Sequence, residues 1–310
     1  MTVLQAIIQG IIQGATEFLP VSSSGHLSLA QHFMGVQVPG LFFDVMLHIG
    51  TLLAVLAVYY RLVGRLICEF FLLIRDLFTG RFKWNKMNPD RRMLIMLIIG
   101  LVPLFLLFLP VPGTGMKLKD FADKWASDSD IVIEGASLIM TSILLTLGIL
   151  AGNRSGARHA QYGRTGGRKQ FNVPDAVTVG LVQCVAAVFP GLSRSGSTLS
   201  AGLMRGINRQ TALDYSFVIG IPSILAAAVL ELKDAVHEPT AISTAAILAG
   251  VIVSAIVGFM AIKLLRWMVT TNKLHIFAIY TFILGVTVLV LGIMEHHTGV
   301  NAITGAALHF

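Results

Sequence analysis

The chain is 310 residues long, 55% hydrophobic and only 13% charged, with a mean hydropathy of +0.78. No water-soluble fold of this size hides so large an apolar share, so lipid must solvate much of the chain. The net charge of +7 resides in short loops between apolar stretches, which is a membrane-orientation signal and sets aside a nucleic-acid partner.

In chain order, Val3–Leu19 comes first. It is apolar, has no Lys or Arg ahead of it, and carries Gln5, Gln9, Gln13 and Glu17 four apart. A cleaved signal peptide has a basic start and a clean apolar stretch, so this segment is expected to be retained. The four polar residues make one slowly drifting helical stripe. It reads as the wall of a wet cavity, because a carboxylate inside a membrane is costly and usually functional. After Pro20 and a Ser/Gly turn, a short helix is predicted near Leu27–Met34.

Six segments meet the requirement of about 20 apolar residues for a bilayer span: Leu41–Tyr60, Met93–Val111, Ile131–Ala151, Ala212–Leu232, Ala245–Leu265 and His275–Met294. Leu62–Phe78 is apolar but holds Arg65, Glu69, Arg75 and Asp76, and reads as an extension of the first span or an interfacial helix. A Gly- and Arg-rich connector, 153–172, leads to Val173–Phe189, which runs into Pro190, a second Ser/Gly turn and a short helix near Leu199–Gly206. His48 lies within the first span and suits either a cavity or a packed position. The tail, 296–310, holds His296, His297 and His309, where no metal site is expected. Cys68 and Cys184, far apart in apolar surroundings, read as packing residues.

With these spans, 18 of the 23 Lys and Arg fall in loops on one side, which should be cytoplasmic. Three spans separate the two Pro-broken segments, so the segments enter from opposite faces. The expected fold is therefore an all-α polytopic membrane protein: six transmembrane helices plus two re-entrant hairpins in an inverted-topology repeat. It forms one integral membrane domain over 1–310, with repeat 1 about 1–152, the connector, repeat 2 about 173–295, and the tail.

A fixed register supports the duplication. Gly10, Gln13, Pro20, Ser23, Asp44 and Gly50 recur as Gly180, Gln183, Pro190, Ser193, Asp214 and Gly220, each pair 170 residues apart. The first break, Gln13 to His26, holds Glu17, Ser22, Ser23, Ser24 and His26. The second, Phe189 to Thr198, holds Ser193, Arg194, Ser195, Ser197 and Thr198. An arginine fork matches two phosphate oxygens, and Ser-Gly-Ser-Thr at a helix start adds hydroxyls, free amides and the positive dipole end. Glu17 and His26 can serve as base, acid or metal ligand beside a phosphoryl centre, with Arg194 offsetting charge on the transferring group. A structural Arg194–Glu17 bridge is the plain alternative. Residue chemistry reaches an intramembrane phosphate site and leaves hydrolysis and transport both open.

Gln13-x-x-x-Glu17, continuing Phe-Leu-Pro-Val-Ser-Ser-Ser-Gly-His26, and Pro190-Gly-Leu-Ser-Arg-Ser-Gly-Ser-Thr198 resemble the two signatures of the undecaprenyl-diphosphate phosphatase family of the bacitracin-resistance type. The resemblance extends over nearly the whole chain, including Asn208 to Phe217. It implies hydrolysis of undecaprenyl diphosphate to undecaprenyl phosphate and inorganic phosphate at the outer face of the bacterial plasma (inner) membrane. That reaction recycles the carrier lipid for peptidoglycan synthesis and confers bacitracin resistance. The expected partners are a polyprenyl diphosphate, membrane lipid and a second copy of the chain as a homo-oligomer. Catalytic roles are expected for Glu17, Ser23, His26 and Arg194, and substrate contacts for Gln13, Ser24, Ser193, Ser195 and Thr198. Ser23, water or His26 remains open as the nucleophile. A divalent cation, Mg or Ca, would be held through Glu17. The family's first motif admits Glu or Gln at the position of Gln13, which leaves Glu17 as the lone carboxylate and argues against two carboxylates on one metal. The alternative is a secondary transporter or flippase of a polyprenyl phosphate on the same repeat.

Overall fold

A computed structural model describes residues 1–34, 40–127, 130–161, 166–235 and 242–307, and among them the regular structure is helical, with no named strand. His309 lies outside the described residues. α1 (Val3–Phe18) opens with a capping box, in which the Thr2 hydroxyl accepts from the Gln5 amide and the Gln5 side chain accepts from the Thr2 amide. It stops at Leu19–Pro20, and the chain turns through Ser22, at φ +75°, into α2 (Ser23–Met34). Next come α3 (Gly40–Phe78), α4 (Pro89–Leu101), a 3₁₀ continuation over Val102–Phe108, α5 (Leu118–Ser127) and α6 (Val132–Gln161). The remainder is α7 (Val173–Val188), α8 (Arg194–Met204), α9 (Arg209–Ala235), α10 (Thr244–Thr270) and α11 (His275–Thr298).

Six of these, α3, α4 with its 3₁₀ continuation, α6, α9, α10 and α11, are long and apolar enough to cross a bilayer, which makes this a multi-pass membrane protein. α10 shows how they pack. Its large side chains Leu248, Ile252, Ile256 and Met260 point outward, while Ala246, Gly250, Ser254 and Gly258 point inward. Small residues inside and large ones outside invert the soluble pattern, as expected where lipid is the solvent and close backbone approach holds helices together.

The spans lie where hydropathy places them, with three differences. α3 has 39 residues, about 58 Å of helix against a hydrocarbon core of about 30 Å. Beyond a bend at Tyr59 (φ −105°, ψ 16°), its distal half is clamped to the start of α4. There Arg91 donates from Nε to Glu69 (2.8 Å) and from Nη1 to Asp76 (2.6 Å). Leu62–Phe78 is therefore an extension of the first span. α8 begins at Arg194, five residues before the expected Leu199, because Ser193 caps it by accepting from the Gly196 amide at 3.1 Å. Finally, α5 was not foreseen: Lys119, Asp120 and Lys124 dilute its hydropathy, yet Phe121 and Trp125 give it an apolar side. Trp125 stacks on Phe189 with centroids 5.4 Å apart.

Helix partners exchange between the two parts of the chain. α1 packs along α10, and α7 along α4; α3 also meets α10, and α9 meets α4; α3 with α9 and α6 with α11 close the bundle. The register-matched glycines sit at the first two contacts. A Cβ on Gly10 would lie 2.7 Å from the Gly250 carbonyl oxygen, and one on Gly180 would overlap the Gly100 carbonyl. Only glycine permits those approaches.

Candidate active site

The two broken segments meet. Ser24 Oγ accepts from the Gly191 amide at 3.4 Å, and Ser195 Oγ donates to the Leu19 carbonyl at 3.1 Å. Each turn is opened by a left-handed residue, Ser22 in the first and Gly191 (φ +84°) in the second. The strained serine is held by its own hydroxyl, which accepts from the Gly25 amide at 3.2 Å.

Glu17 occupies the junction and is 5% exposed. Its Oε1 accepts from Arg194 Nη2 at 2.5 Å, and its Oε2 from Ser23 Oγ at 2.6 Å and Gln13 Nε2 at 3.0 Å. His48 Nε2 stands 3.7 Å from the same Oε2, while His48 Nδ1 donates to the Asp44 carbonyl at 2.8 Å. One carboxylate thus joins residues from α1, α2, α3 and α8. A buried ion pair contributes little net stability after desolvation, so the arrangement is poorly explained as a bundle fastener and well explained as a poised site.

A cavity of about 350 Å³ opens on this cluster. Its polar end is formed by Glu17, Ser22–Ser24, His48 and Ser193–Ser195. The rest is mainly apolar, with Leu104, Leu107 and Phe108 from the 3₁₀ segment, Ala186, Ile224 and the run Ala226–Ala228, and with Lys119, Gln183 and Ser223 as its polar members. A polar end continuous with an apolar trough fits an anionic head group on a hydrocarbon chain.

The expected site residues are not all placed alike. Glu17, Ser23, Ser24, Ser193, Arg194 and Ser195 line the cavity together. Gln13 stands behind Glu17 and reaches the site only through it. The glutamine stripe is a packed seam rather than a cavity wall: Gln9 and Gln13 are fully buried, and Gln9 accepts from Gln31 at 3.4 Å. Thr198 faces away from the cavity, donating to the Arg194 carbonyl at 2.9 Å and meeting Ser216 Oγ at 2.5 Å between α8 and α9. His26 is not among the lining residues. Its Nδ1 donates to the Ser22 carbonyl at 2.7 Å, so in the neutral ring Nε2 accepts from the Tyr280 hydroxyl at 2.6 Å. His48 belongs to the cluster, and its only sequence signal was an imidazole in an apolar span. Gln183 also lines the cavity, and the repeat register to Gln13 was its signal.

The residues present do not fit a resident metal ion. Both oxygens of Glu17 already accept hydrogen bonds, one from a guanidinium, and among the described residues no three His, Cys, Asp or Glu side chains converge. Mg²⁺ and Ca²⁺ require about six or more oxygen ligands.

The family model for bacitracin resistance protein BacA matches residues 6–287 of the chain. The chain is 39% identical to the undecaprenyl-diphosphatase of Alkaliphilus metalliredigens, over 95% of its own length and 100% of the relative's. It is 36% identical to the undecaprenyl-diphosphatase of Methanosphaera stadtmanae, with 95% and 99% covered, and 38% identical to that of Desulfatibacillum aliphaticivorans, with 93% and 98% covered. The match of the family model across most of the chain, together with relatives aligned nearly end to end, places this protein in the BacA family.

Proposed function

We propose that this protein hydrolyses undecaprenyl diphosphate to undecaprenyl phosphate and inorganic phosphate, and so returns the carrier lipid to peptidoglycan synthesis. The observation that carries this reading is the chain Arg194–Glu17–Ser23, assembled from both broken segments at the polar end of an apolar trough. The names of the relatives point to the same reaction, and they do not favour the transporter or flippase alternative. Turnover of the diphosphate form that bacitracin binds accounts for resistance.

In this reading the terminal phosphate lies against Arg194, Ser193, Ser195 and the amides opening α8, with the prenyl chain along Leu104, Leu107 and Ala226–Ala228. Ser23 is the nucleophile. Its Oγ–H already points at Glu17 Oε2, which takes the proton as Oγ bonds to the terminal phosphorus. The bridging P–O bond breaks, its electron pair leaves on the lipid monophosphate, and Glu17 passes the serine proton to that departing oxygen, so it is again a carboxylate. Water then attacks the phosphoserine, giving one proton to Glu17, which returns it to Ser23 Oγ as phosphate departs. Arg194 releases one oxygen of Glu17 to meet the phosphoryl oxygens, where charge is spread in the transition state. Gln13 holds Glu17 in place. His26 fixes the Ser22–Ser24 turn through the Ser22 carbonyl.

The exchange of helix partners, α1 with α10 and α7 with α4, supports an inverted repeat of two re-entrant hairpins. The basic loops support an orientation with the site open to the outer face of the bacterial inner membrane. Purified protein in detergent micelles, given a polyprenyl diphosphate, should release inorganic phosphate. Glu17→Ala should abolish release while the protein stays folded; near-normal turnover by that variant would sink the scheme. Mass spectrometry of a rapidly quenched reaction should find phosphate on Ser23.

A further inference from the structure

Beyond the Glu17 cluster, the cavity wall holds a neutral polar pair, Gln183 on α7 and Ser223 on α9. Gln183 is 1% exposed. Its Nε2 donates to Ser223 Oγ at 3.3 Å, and Ser223 Oγ donates to the Ile219 carbonyl at 2.9 Å. Gln183 Oε1 has no hydrogen-bond partner among the described residues. A buried acceptor left unmet is destabilising, so packing does not explain this amide. The 170-residue register does: Gln13 gives its amide to Glu17, but the matching positions are Gln183 and Ala187, and both line the cavity. With alanine in place of the carboxylate, the Gln183 amide turns to α9 and keeps an unused acceptor. Its place along α9 follows from its neighbours. Gly220 lies against the Arg194 guanidinium, where a Cβ would stand 3.0 Å from Cζ. Ser223 follows about 4.5 Å along the helix, and Ile224 and Ala226–Ala228 of the apolar trough come next. Gln183 thus stands between the phosphate clamp and the trough, on the side from which the lipid oxygen departs.

We propose that Gln183 is the positioning residue for the water that hydrolyses the phosphoserine. The inference rests on the reading of the site as a polyprenyl-diphosphate hydrolase acting through Ser23. Ionised phosphate oxygens accept hydrogen bonds and do not donate them, so Oε1 is not a phosphate contact. It binds a donor, and water is the donor that the second step requires. Attacking and leaving oxygens lie roughly in line through phosphorus. The water therefore approaches from the side away from Ser23 Oγ, which the lipid monophosphate has left. There it donates one hydrogen to Gln183 Oε1, while its other proton passes to Glu17. The water oxygen bonds to phosphorus and the P–Oγ bond breaks, its electron pair going to Ser23 Oγ. Glu17 returns its proton to that oxygen, and the hydrogen held by Gln183 leaves with the phosphate.

The test uses the full-length protein in detergent with farnesyl diphosphate as substrate. Gln183→Met keeps the length of the side chain and removes the acceptor. This variant should form the phosphoserine normally and hydrolyse it slowly, so kcat should fall about tenfold, the loss of one hydrogen bond in that step. KM should fall in proportion, leaving kcat/KM within about twofold of wild type, because kcat/KM is set by the earlier transfer to Ser23. Mass spectrometry of samples quenched at steady state should find phosphate on Ser23 in most molecules. Ser223→Ala removes the group that orients the amide and should lower kcat about threefold with kcat/KM unchanged. A folded Gln183→Met protein with kcat within about twofold of wild type overturns the proposal. So does a fall in kcat/KM as large as that in kcat, since Gln183 then serves the first step. If Gln183→Met does not fold, a Ser223→Ala protein with wild-type kcat overturns it instead. Failure of the underlying reading is distinguishable: wild type would then release no phosphate, or Ser23→Ala would release it at the wild-type rate.

Discussion

Gly220→Ala offers a test of the site from outside it. Gly220 on α9 lies against the Arg194 guanidinium: a Cβ there would stand 3.0 Å from Cζ, 3.4 Å from Nη2 and in overlap with Nη1. The guanidinium must retreat by about 1 Å to restore van der Waals contact, and a displacement of that size in a catalytic group costs on the order of 100-fold in rate. An independent estimate agrees, since forfeiting one charge-assisted hydrogen bond costs about 1.5–3 kcal/mol, roughly 10- to 150-fold. Alanine improves an exposed helix interior by about 1 kcal/mol over glycine, so thermal stability should fall little. The measurement is kcat/KM for phosphate release in detergent, alongside thermal unfolding of the same samples. Gly50→Ala, at the register-matched position, is the control. Its Cβ would meet the Val251 carbonyl oxygen at 2.5 Å and overlap the Ser254 hydroxyl, which is a contact between α3 and α10. Gly50→Ala should therefore lower Tm while the active fraction keeps kcat/KM within a few-fold. A folded Gly220→Ala protein with kcat/KM within about twofold of wild type would refute the placement of Arg194.

Two further outcomes follow from side-chain placement. Thr198→Val removes bonds to the Arg194 carbonyl and to Ser216, at a cost of about 1 kcal/mol; Tm should drop while KM stays unchanged, and a tenfold rise in KM would return Thr198 to the binding surface. His26→Ala and Tyr280→Phe break the same hydrogen bond, so their losses in kcat should be non-additive in the double variant; additive losses would separate the two residues.

The six spans and the meeting of the two Pro-broken segments were legible because both rest on local rules: apolar length for the spans, and the cost of irregular backbone and charge in lipid for the breaks. What was missed is tertiary or rotational. A four-residue stripe shows that Gln9, Gln13 and Glu17 share a helix face, but not whether that face meets solvent or α2. The motif groups Thr198 with Arg194 and Ser195 because it names residues without fixing the helix phase. Once Ser193 caps α8, Arg194 and Ser195 face the cavity and Thr198 turns toward α9. His48 reaches Glu17 only because α1 and α3 cross, a fact that apolar periodicity in α3 does not contain. α5 was invisible to a search for hydrophobic length because its charged residues are as regular as its aromatic ones.

The pairing of α1 with α10 has a consequence for how the protein is made. α1 leaves the ribosome before α10 and finds this main partner only after roughly 240 further residues have been synthesised, about 12–50 s at ordinary elongation rates. Until then Gln9, Gln13 and Glu17 sit on a segment with no finished bundle around it, and Gly10 faces lipid instead of Gly250. α7 differs, because α4 is already in place when it emerges and its other main partner, α8, follows directly. The second half of the site is thus assembled on a ready scaffold, and the half carrying the carboxylate is completed last. The growing chain gains the segment bearing Arg194 before it can seat Glu17 against α10.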